Sequence, residues 1–252
     1  MSEPLLQTKK LNKAFGKVVT SKDLDLVFEK GVLTSIIGPN GAGKSTLINV
    51  LSGSLKADSG KILFEGKDIT RMPTHQRVRR GLCRSFQVVN VFPHLTVFEN
   101  LEIPILAARR RASAFFSPLS HEKKTHEDVE SILELVGLAD KALQTAQSLS
   151  HGDQRVLEVG IALAARPKLL FLDEPTAGMN PVERIKILEN IRRISDTGST
   201  TFVIVEHDMD VVFALSERIL VLHRGDVICD GEPEKIKNDA DVRECYLGEE
   251  VR

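Results

Sequence analysis

The chain predicts an α/β fold: a parallel core sheet, an antiparallel β-subdomain beside it, and an inserted helical subdomain. Three observations point there. Residues 38–46 read Gly-Pro-Asn-Gly-Ala-Gly-Lys-Ser-Thr, a full match to G-x-x-x-x-G-K-[ST], set between an apolar run and a helical pattern. Lys168–Glu174 is a hydrophobic stretch closed by two acids. Beyond Lys168, strand-like and helix-like segments alternate, as βαβ units require.

Taken in order, the first ~35 residues alternate short apolar runs with turns, and Lys61–Glu65 followed by Gly66-Lys67 continues the habit. Antiparallel strands are expected there. Leu33–Ile37 is a short buried strand and Lys44–Leu51 a helix, so the loop between them sits at a helix N-terminus. From about Val89 to Ile161 the periodicity turns helical, with Val129, Ile132, Leu133, Leu135 and Val136 on one face. Leu169–Leu172 and Thr201–Val205 are buried strands. Between them Asn180 is a good N-cap, Pro181 suits the first helical position and Glu183 completes a capping box. Val182, Ile185, Leu188 and Ile191 are expected to form that helix's inner face, with Arg184, Lys186, Glu189 and Arg192 outside. Arg218–Leu222 and Asp226–Cys229 flank His223-Arg224-Gly225 as a hairpin. Residues 1–252 therefore read as a single domain, with a helical subdomain at approximately 89–161.

The chemistry follows from residue types. Gly38, Gly41 and Gly43 let the backbone of the Gly38–Thr46 loop turn tightly around Pro39 and aim N–H groups, including those at Asn40 and Ala42, towards phosphate oxygens. Lys44 supplies a point charge for β- and γ-phosphates, and the Ser45 hydroxyl is a Mg²⁺ ligand. This is a nucleotide site. In a fold with such a loop, an acid-terminated strand lies beside it; Asp173 holds Mg²⁺ through water and Glu174 orients or deprotonates the attacking water. His207 follows Thr201–Val205 and Glu206 at the carboxyl edge, where open α/β sheets bind ligands.

Composition narrows the class. With 34 Lys and Arg against 35 Asp and Glu, the net charge of −1 gives no argument for nucleic acid, and no such partner is expected. No apolar run approaches the ~20 residues of a membrane-spanning helix, and the first residues do not read as a signal peptide. Cys83, Cys229 and Cys245 lack metal-ligand spacing and suit a reducing cytosol as buried or idle thiols. Arg109–Arg111 and Lys123-Lys124, with Phe115-Phe116 between them, are either a solvated loop or a surface that meets a membrane protein or anionic headgroups.

These pieces in this order resemble the nucleotide-binding subunit of ATP-binding-cassette (ABC) transporters over essentially the whole chain. The phosphate loop at 38–46, Ser-Phe-Gln at 85–87, Leu-Phe-Leu-Asp-Glu-Pro at 170–175 and Glu-His-Asp at 206–208 match that family. Leu149–Arg155 looks like its signature Leu-Ser-Gly-Gly-Gln. The resemblance implies a P-loop NTPase of the cassette type with ATP and Mg²⁺ as ligands. It implies that two cassettes pair head to tail, the Ser150 and Gly152 signature of one capping ATP on the other. Gln87 should ligate Mg²⁺ or the water and report to the helical subdomain, and His207 should contact the γ-phosphate and hold Glu174. Phe15 stands where the adenine-stacking aromatic belongs, with a π-face but no hydroxyl.

There are departures. His151 replaces the first signature Gly, and Asp153 replaces its Gln, adding a carboxylate expected to slow closure on a γ-phosphate. Asn180 stands where most cassettes have Asp, so no water-activating role carries over to it. Thr176–Glu183, Val205–Met209, Tyr246–Glu249 and the insert between Leu106 and Lys124 look like importers of branched-chain amino acids. The resemblance thus implies an ATP-hydrolysing subunit on the cytoplasmic face of the cell membrane. Its partners would be a second cassette (identical or different), transmembrane permease subunits and, indirectly, a substrate-binding protein. A cassette powering lipid or lipopolysaccharide export is the alternative. A soluble non-transport cassette is less favoured, since the chain has neither long coiled coils nor tandem cassettes.

Overall fold

The computed structural model describes residues 4–85, 91–109 and 118–247, which fall into two compact units. The first comprises the chain up to Arg84, residues 168–174, and the chain from Ser195; the second comprises 85–167 and 175–194.

In the first unit, β1 (Pro4–Phe15), β2 (Val18–Leu24), β3 (Val27–Glu29), β5 (Ser59–Phe64) and β6 (Lys67–Asp68) form an antiparallel sheet ordered β2-β1-β5-β6, with β3 also paired to β1. A six-stranded sheet runs β11-β10-β4-β9-β8-β7: β4 (Thr34–Ile37), β7 (Leu82–Arg84), β8 (Leu169–Asp173), β9 (Thr201–Val205), β10 (Arg218–His223) and β11 (Asp226–Gly231). Its strands are parallel except for the β10–β11 hairpin. That hairpin turns through Arg224 and Gly225, both at positive φ (48° and 84°), the backbone of a two-residue turn that follows strand twist.

Side-chain alternation builds a core on each face of this sheet. Ile36, Leu220 and Leu222 join α1 (Lys44–Ser52) and the antiparallel sheet in one cluster with Leu6, Phe28, Ile48, Leu51, Phe64 and Phe171. Phe28 and Phe171 meet edge to face, centroids 6.4 Å apart. The neighbouring residues Ile37, Ile219 and Val221 point the other way. They pack with Val212 of α7 (Met209–Leu215), Ile236 of α8 (Pro233–Asn238) and Val242 of α9 (Ala240–Leu247).

Arg77, in α2 (Thr74–Arg79), belongs to no sequence motif. It is buried, and its guanidinium donates to the carbonyls of Val50 (3.0 Å), Leu51 (2.6 Å), Thr70 (3.0 Å) and Met72 (2.9 Å). The carbonyls left over at the end of α1 thereby gain donors. Burial lowers its pKa to about 10.

The second unit is helical: α3 (Val97–Arg109), α4 (Pro118–Val136), α5 (His151–Ala164) and most of α6 (Pro181–Asp196). Gly160 lets α5 approach its neighbours closely: a Cβ there would lie 3.1 Å from Leu101 of α3 and 3.6 Å from Ile132 and Val136 of α4. The capping box of α6 is present. Asn180 Oδ1 accepts from Val182 N and Glu183 N, each at 3.0 Å, and the Asn180 N–H donates to Glu183 Oε2 at 3.4 Å. The expected inner face of α6 is corrected. Ile187, Ile191 and Ile194 are buried, whereas Val182 and Ile185 are 64% and 57% exposed. Spacing of three alone drifts around the helix by about 60° per step; the buried set uses four then three and stays on one side.

Gln87, Phe86, Arg110, Arg111, Phe115, Phe116, Gly248 and Glu249 lie outside the described residues. Among the described residues, no helix is long and apolar enough to cross a membrane.

Candidate active site

The first unit brings three sequence landmarks to one sheet edge. Strand β4 runs into the glycine-rich loop; its neighbour β9 ends at Val205, two residues before His207; and β8, next in the sheet, ends at Asp173. The strands are parallel and in register, with Ile36 opposite Val205 and Val205 opposite Asp173. Loop, acid pair and histidine therefore leave the carboxyl edge on adjacent strands, where helices and loops shape a ligand crevice.

The loop's shape depends on missing side chains. A Cβ on Gly38 (φ 152°) would sit 2.0 Å from the Leu222 carbonyl oxygen, and one on Gly43 (φ 104°) 2.4 Å from that of Thr20. Gly41 (φ 79°) faces open space. The Gly225 N–H donates to the Ala42 carbonyl at 3.1 Å, and Ala42 N–H donates to Pro39 O at 3.1 Å. Lys44 is buried and spans the loop, its Nζ donating to Gly38 O (2.5 Å) and Pro39 O (3.0 Å). Gly43 is the N-cap of α1 and carries no side-chain cap, which leaves the first amides of the helix directed at the loop's concavity. Asn40 is exposed, Pro39 and Ala42 are buried, and Ser45 and Thr46 are half-buried.

Asp173 is 2% exposed. Arg84 Nη2 donates to its Oδ2 at 2.7 Å, and Arg84 Nη1 reaches Asn49 Oδ1. Asp173 Oδ1 is buried with no hydrogen-bond partner among the described residues. A buried carboxylate oxygen left without a donor is costly unless something else satisfies it, and an oxygen-seeking cation or its bound water fits. Glu174 follows with φ 48°, a left-handed conformation that costs a non-glycine residue about 1–2 kcal/mol. Its N–H still donates to Val205 O at 2.9 Å, so the backbone stays in the sheet as the chain turns. The Glu174 side chain is partly exposed, and Oε1 lies 3.7 Å from Nδ1 of the exposed His207.

Phe15 ends β1 and is 52% exposed, opposite Val18 at the hairpin tip. Lys13 Nζ lies 5.2 Å from its ring centroid. Thr20, two residues beyond Val18 on β2, is the residue against which Gly43 packs, so the hairpin carrying Phe15 abuts the loop. A concavity of about 810 Å³ flanks Pro39–Ala42, lined also by His223, Arg224, Ile228, Asp241, Glu244 and Cys245. Another, of about 900 Å³, is formed by β1, β2 and β5 and takes no residue from the loop. Cys83 and Cys229 are buried; desolvation lifts the Cys83 thiol to about 11. Cys245 is half-buried, its Sγ 2.8 Å from His223 Nδ1.

In the second unit, Ser150 caps α5, its Oγ accepting from Asp153 N at 3.1 Å. Gly152 is buried against Glu183: a Cβ there would lie 2.8 Å from the Glu183 carboxyl carbon. His151 is exposed, with Nε2 3.6 Å from where a Cβ on Gly178 would stand. The signature therefore packs on the loop that follows the acid pair. Asp153 also accepts from Lys141, a residue without any motif or pattern of its own.

The model of the family described as "ABC transporter" matches residues 21–177, and that of "Branched-chain amino acid ATP-binding cassette transporter" matches residues 227–252. The chain is 37% identical over 256 aligned residues to the high-affinity branched-chain amino acid transport ATP-binding protein LivG of Escherichia coli K12, covering 99% of this chain and 100% of that protein. It is 40% identical to a probable LivG of Archaeoglobus fulgidus, covering 97% and 95%. Among solved structures, the ADP conformation of MJ1267, an ATP-binding cassette of an ABC transporter, superposes with a TM-score of 0.83 at 34% identity, covering 98% of this chain and 100% of that one. The dimeric post-hydrolysis cassette MJ0796, bound to ADP and Pi, gives 0.75 at 26% identity, covering 91% and 99%.

Proposed function

The chain belongs to the ABC transporter family, and from that premise we propose that it is the ATP-hydrolysing subunit of an importer of branched-chain amino acids. In this reading residues 1–252 act as one ATP-binding domain, docked as a peripheral subunit on the cytoplasmic face of the cell membrane. The observation that carries the catalytic half is the shared sheet edge at which the loop, Asp173–Glu174 and His207 converge. The full-length similarity to branched-chain amino acid transport proteins carries the cargo.

The residues divide the work by chemistry. The amides of Asn40–Thr46, in the loop opened by Gly38 and Pro39, and the Lys44 ammonium bind the β- and γ-phosphates of ATP, and Phe15 stacks on the adenine. Ser45, Asp173 and Gln87 are the residues that would hold Mg²⁺. Mg²⁺ when bound neutralises phosphate charge as it develops. Glu174 takes the proton of the attacking water, while His207 fixes the Glu174 carboxylate and contacts the γ-phosphate. Ser150 and Gly152 present the start of α5 to the nucleotide on a second cassette, identical or different. ATP then clamps the pair and hydrolysis releases it, driving transmembrane permease subunits that a substrate-binding protein loads.

The test is Glu174→Gln. Removing a general base costs about 10²–10⁴ in rate, so hydrolysis by the assembled transporter should fall by at least a hundredfold. ATP binding should persist, and ATP-stabilised dimers should accumulate on sizing columns. Turnover near wild type would remove Glu174 from the mechanism.

A further inference from the structure

We propose that Asp153 and Lys141 control when the Ser150 hydroxyl becomes available to a nucleotide held by a second cassette, Lys141 being a positioning residue that acts through Asp153. This rests on the reading of the signature given above.

The three side chains form a closed arrangement within the helical unit. Lys141 ends a short 3-10 turn, Ala139–Lys141, and Ser150 caps α5. Asp153 Oδ2 accepts from Lys141 Nζ at 2.5 Å and from Ser150 Oγ at 2.9 Å. The Asp153 N–H in turn donates to Ser150 Oγ at 3.1 Å. A hydroxyl has one proton to give, and here it goes to Asp153. Donation to a phosphate oxygen requires that proton to leave the carboxylate, so Asp153 and the phosphate compete for it.

Lys141 decides the competition. A bare carboxylate holds a hydroxyl strongly and repels a phosphate. Lys141 draws on the same oxygen, Oδ2, and cancels its charge. Ser150 is then held less tightly, and the approaching phosphate meets a neutral pair. Loss of Lys141 changes both effects in the same direction, against closure. The Lys141 and Asp153 side chains are 29% and 25% exposed, partly screened by solvent, so stability and turnover are read separately in the test.

The experiment is a double-mutant cycle in the assembled transporter, with ATP-driven dimer formation followed in the Glu174→Gln background. Lys141→Met should lower kcat by about tenfold and impede dimer formation, while ATP affinity of the separate cassette and its melting temperature stay close to wild type. Adding Asp153→Asn should restore kcat to within about threefold of Asp153→Asn alone, because no carboxylate remains to neutralise. A merely structural tie predicts instead a lowered melting temperature in Lys141→Met, with the loss of kcat following the loss of stability and ATP affinity of the separate cassette falling alongside it. Wild-type kinetics in Lys141→Met, or failure of Asp153→Asn to rescue it, overturns the proposal. Ser150→Arg separates the two levels. If it abolishes hydrolysis while Lys141→Met is silent, only the present proposal falls; if it leaves hydrolysis intact, the two-cassette reading falls with it.

Discussion

At the scale of single residues, the phosphate loop shows why glycine positions with one letter differ in kind. Gly38 and Gly43 are held against carbonyl oxygens of Leu222 and Thr20, where a methyl group would overlap backbone. Gly41 faces open space and needs only its positive φ. Gly43→Ala should therefore cost more than about 3 kcal/mol in urea denaturation and abolish ATP binding, since backbone cannot move aside as a side chain can. Gly41→Ala should cost about 1–2 kcal/mol, the ordinary penalty for a left-handed alanine. Equal losses at the two sites would refute the distinction. The loop was legible because its pattern encodes backbone geometry and charge together. Lys141 and Arg77 were not, because a lone basic residue looks solvated until the chain folds a carboxylate or a set of carbonyls onto it.

At the scale of elements, α6 shows where sequence reasoning succeeds and fails. Its start was readable because capping is local: Asn180, Pro181 and Glu183 act within four residues of one another. Its inner face was not, since Val182, Ile185, Ile187, Leu188, Ile191 and Ile194 are apolar nearly all round, and only the neighbouring structure selects among them. Ile191 is fully buried and Ile185 is not. Ile191→Ala should destabilise by about 2–5 kcal/mol and Ile185→Ala by less than about 0.5 kcal/mol, read from urea midpoints. Similar losses would restore the three-residue stripe. Strands β8 and β9 were easier, because short runs of consecutive buried residues between polar boundaries have few other homes.

At the scale of the whole molecule, the α/β architecture followed from the order of its pieces, and the antiparallel sheet from its alternation and turns. The cargo is different in kind, because in the proposed reading other subunits contact it. The proposal that this subunit serves an amino-acid importer predicts co-purification with a transmembrane permease of that class; recovery with a sugar or lipid permease would overturn it. The proposal that each cassette supplies half of a composite site predicts that hydrolysis per isolated cassette rises with protein concentration. A rate per cassette independent of concentration would count against pairing.

The walls around the phosphate loop have a bearing on how the protein is made. Thr20 precedes the loop, but Leu222 and Gly225, which back Gly38 and Ala42, come from the last hairpin of the sheet. A ribosome that has just finished Thr46 has written every letter of the loop and none of its rear wall. At about 5–20 residues per second, the hairpin arrives on the order of ten seconds later. Until then the nascent chain lacks the surface that shapes the cradle, and ATP cannot prop up an unfinished product. Stabilisation by a ligand in that cradle is open only to chains synthesised past Gly225, so nucleotide should slow unfolding of a chain that carries the hairpin and leave one truncated before Arg218 unchanged.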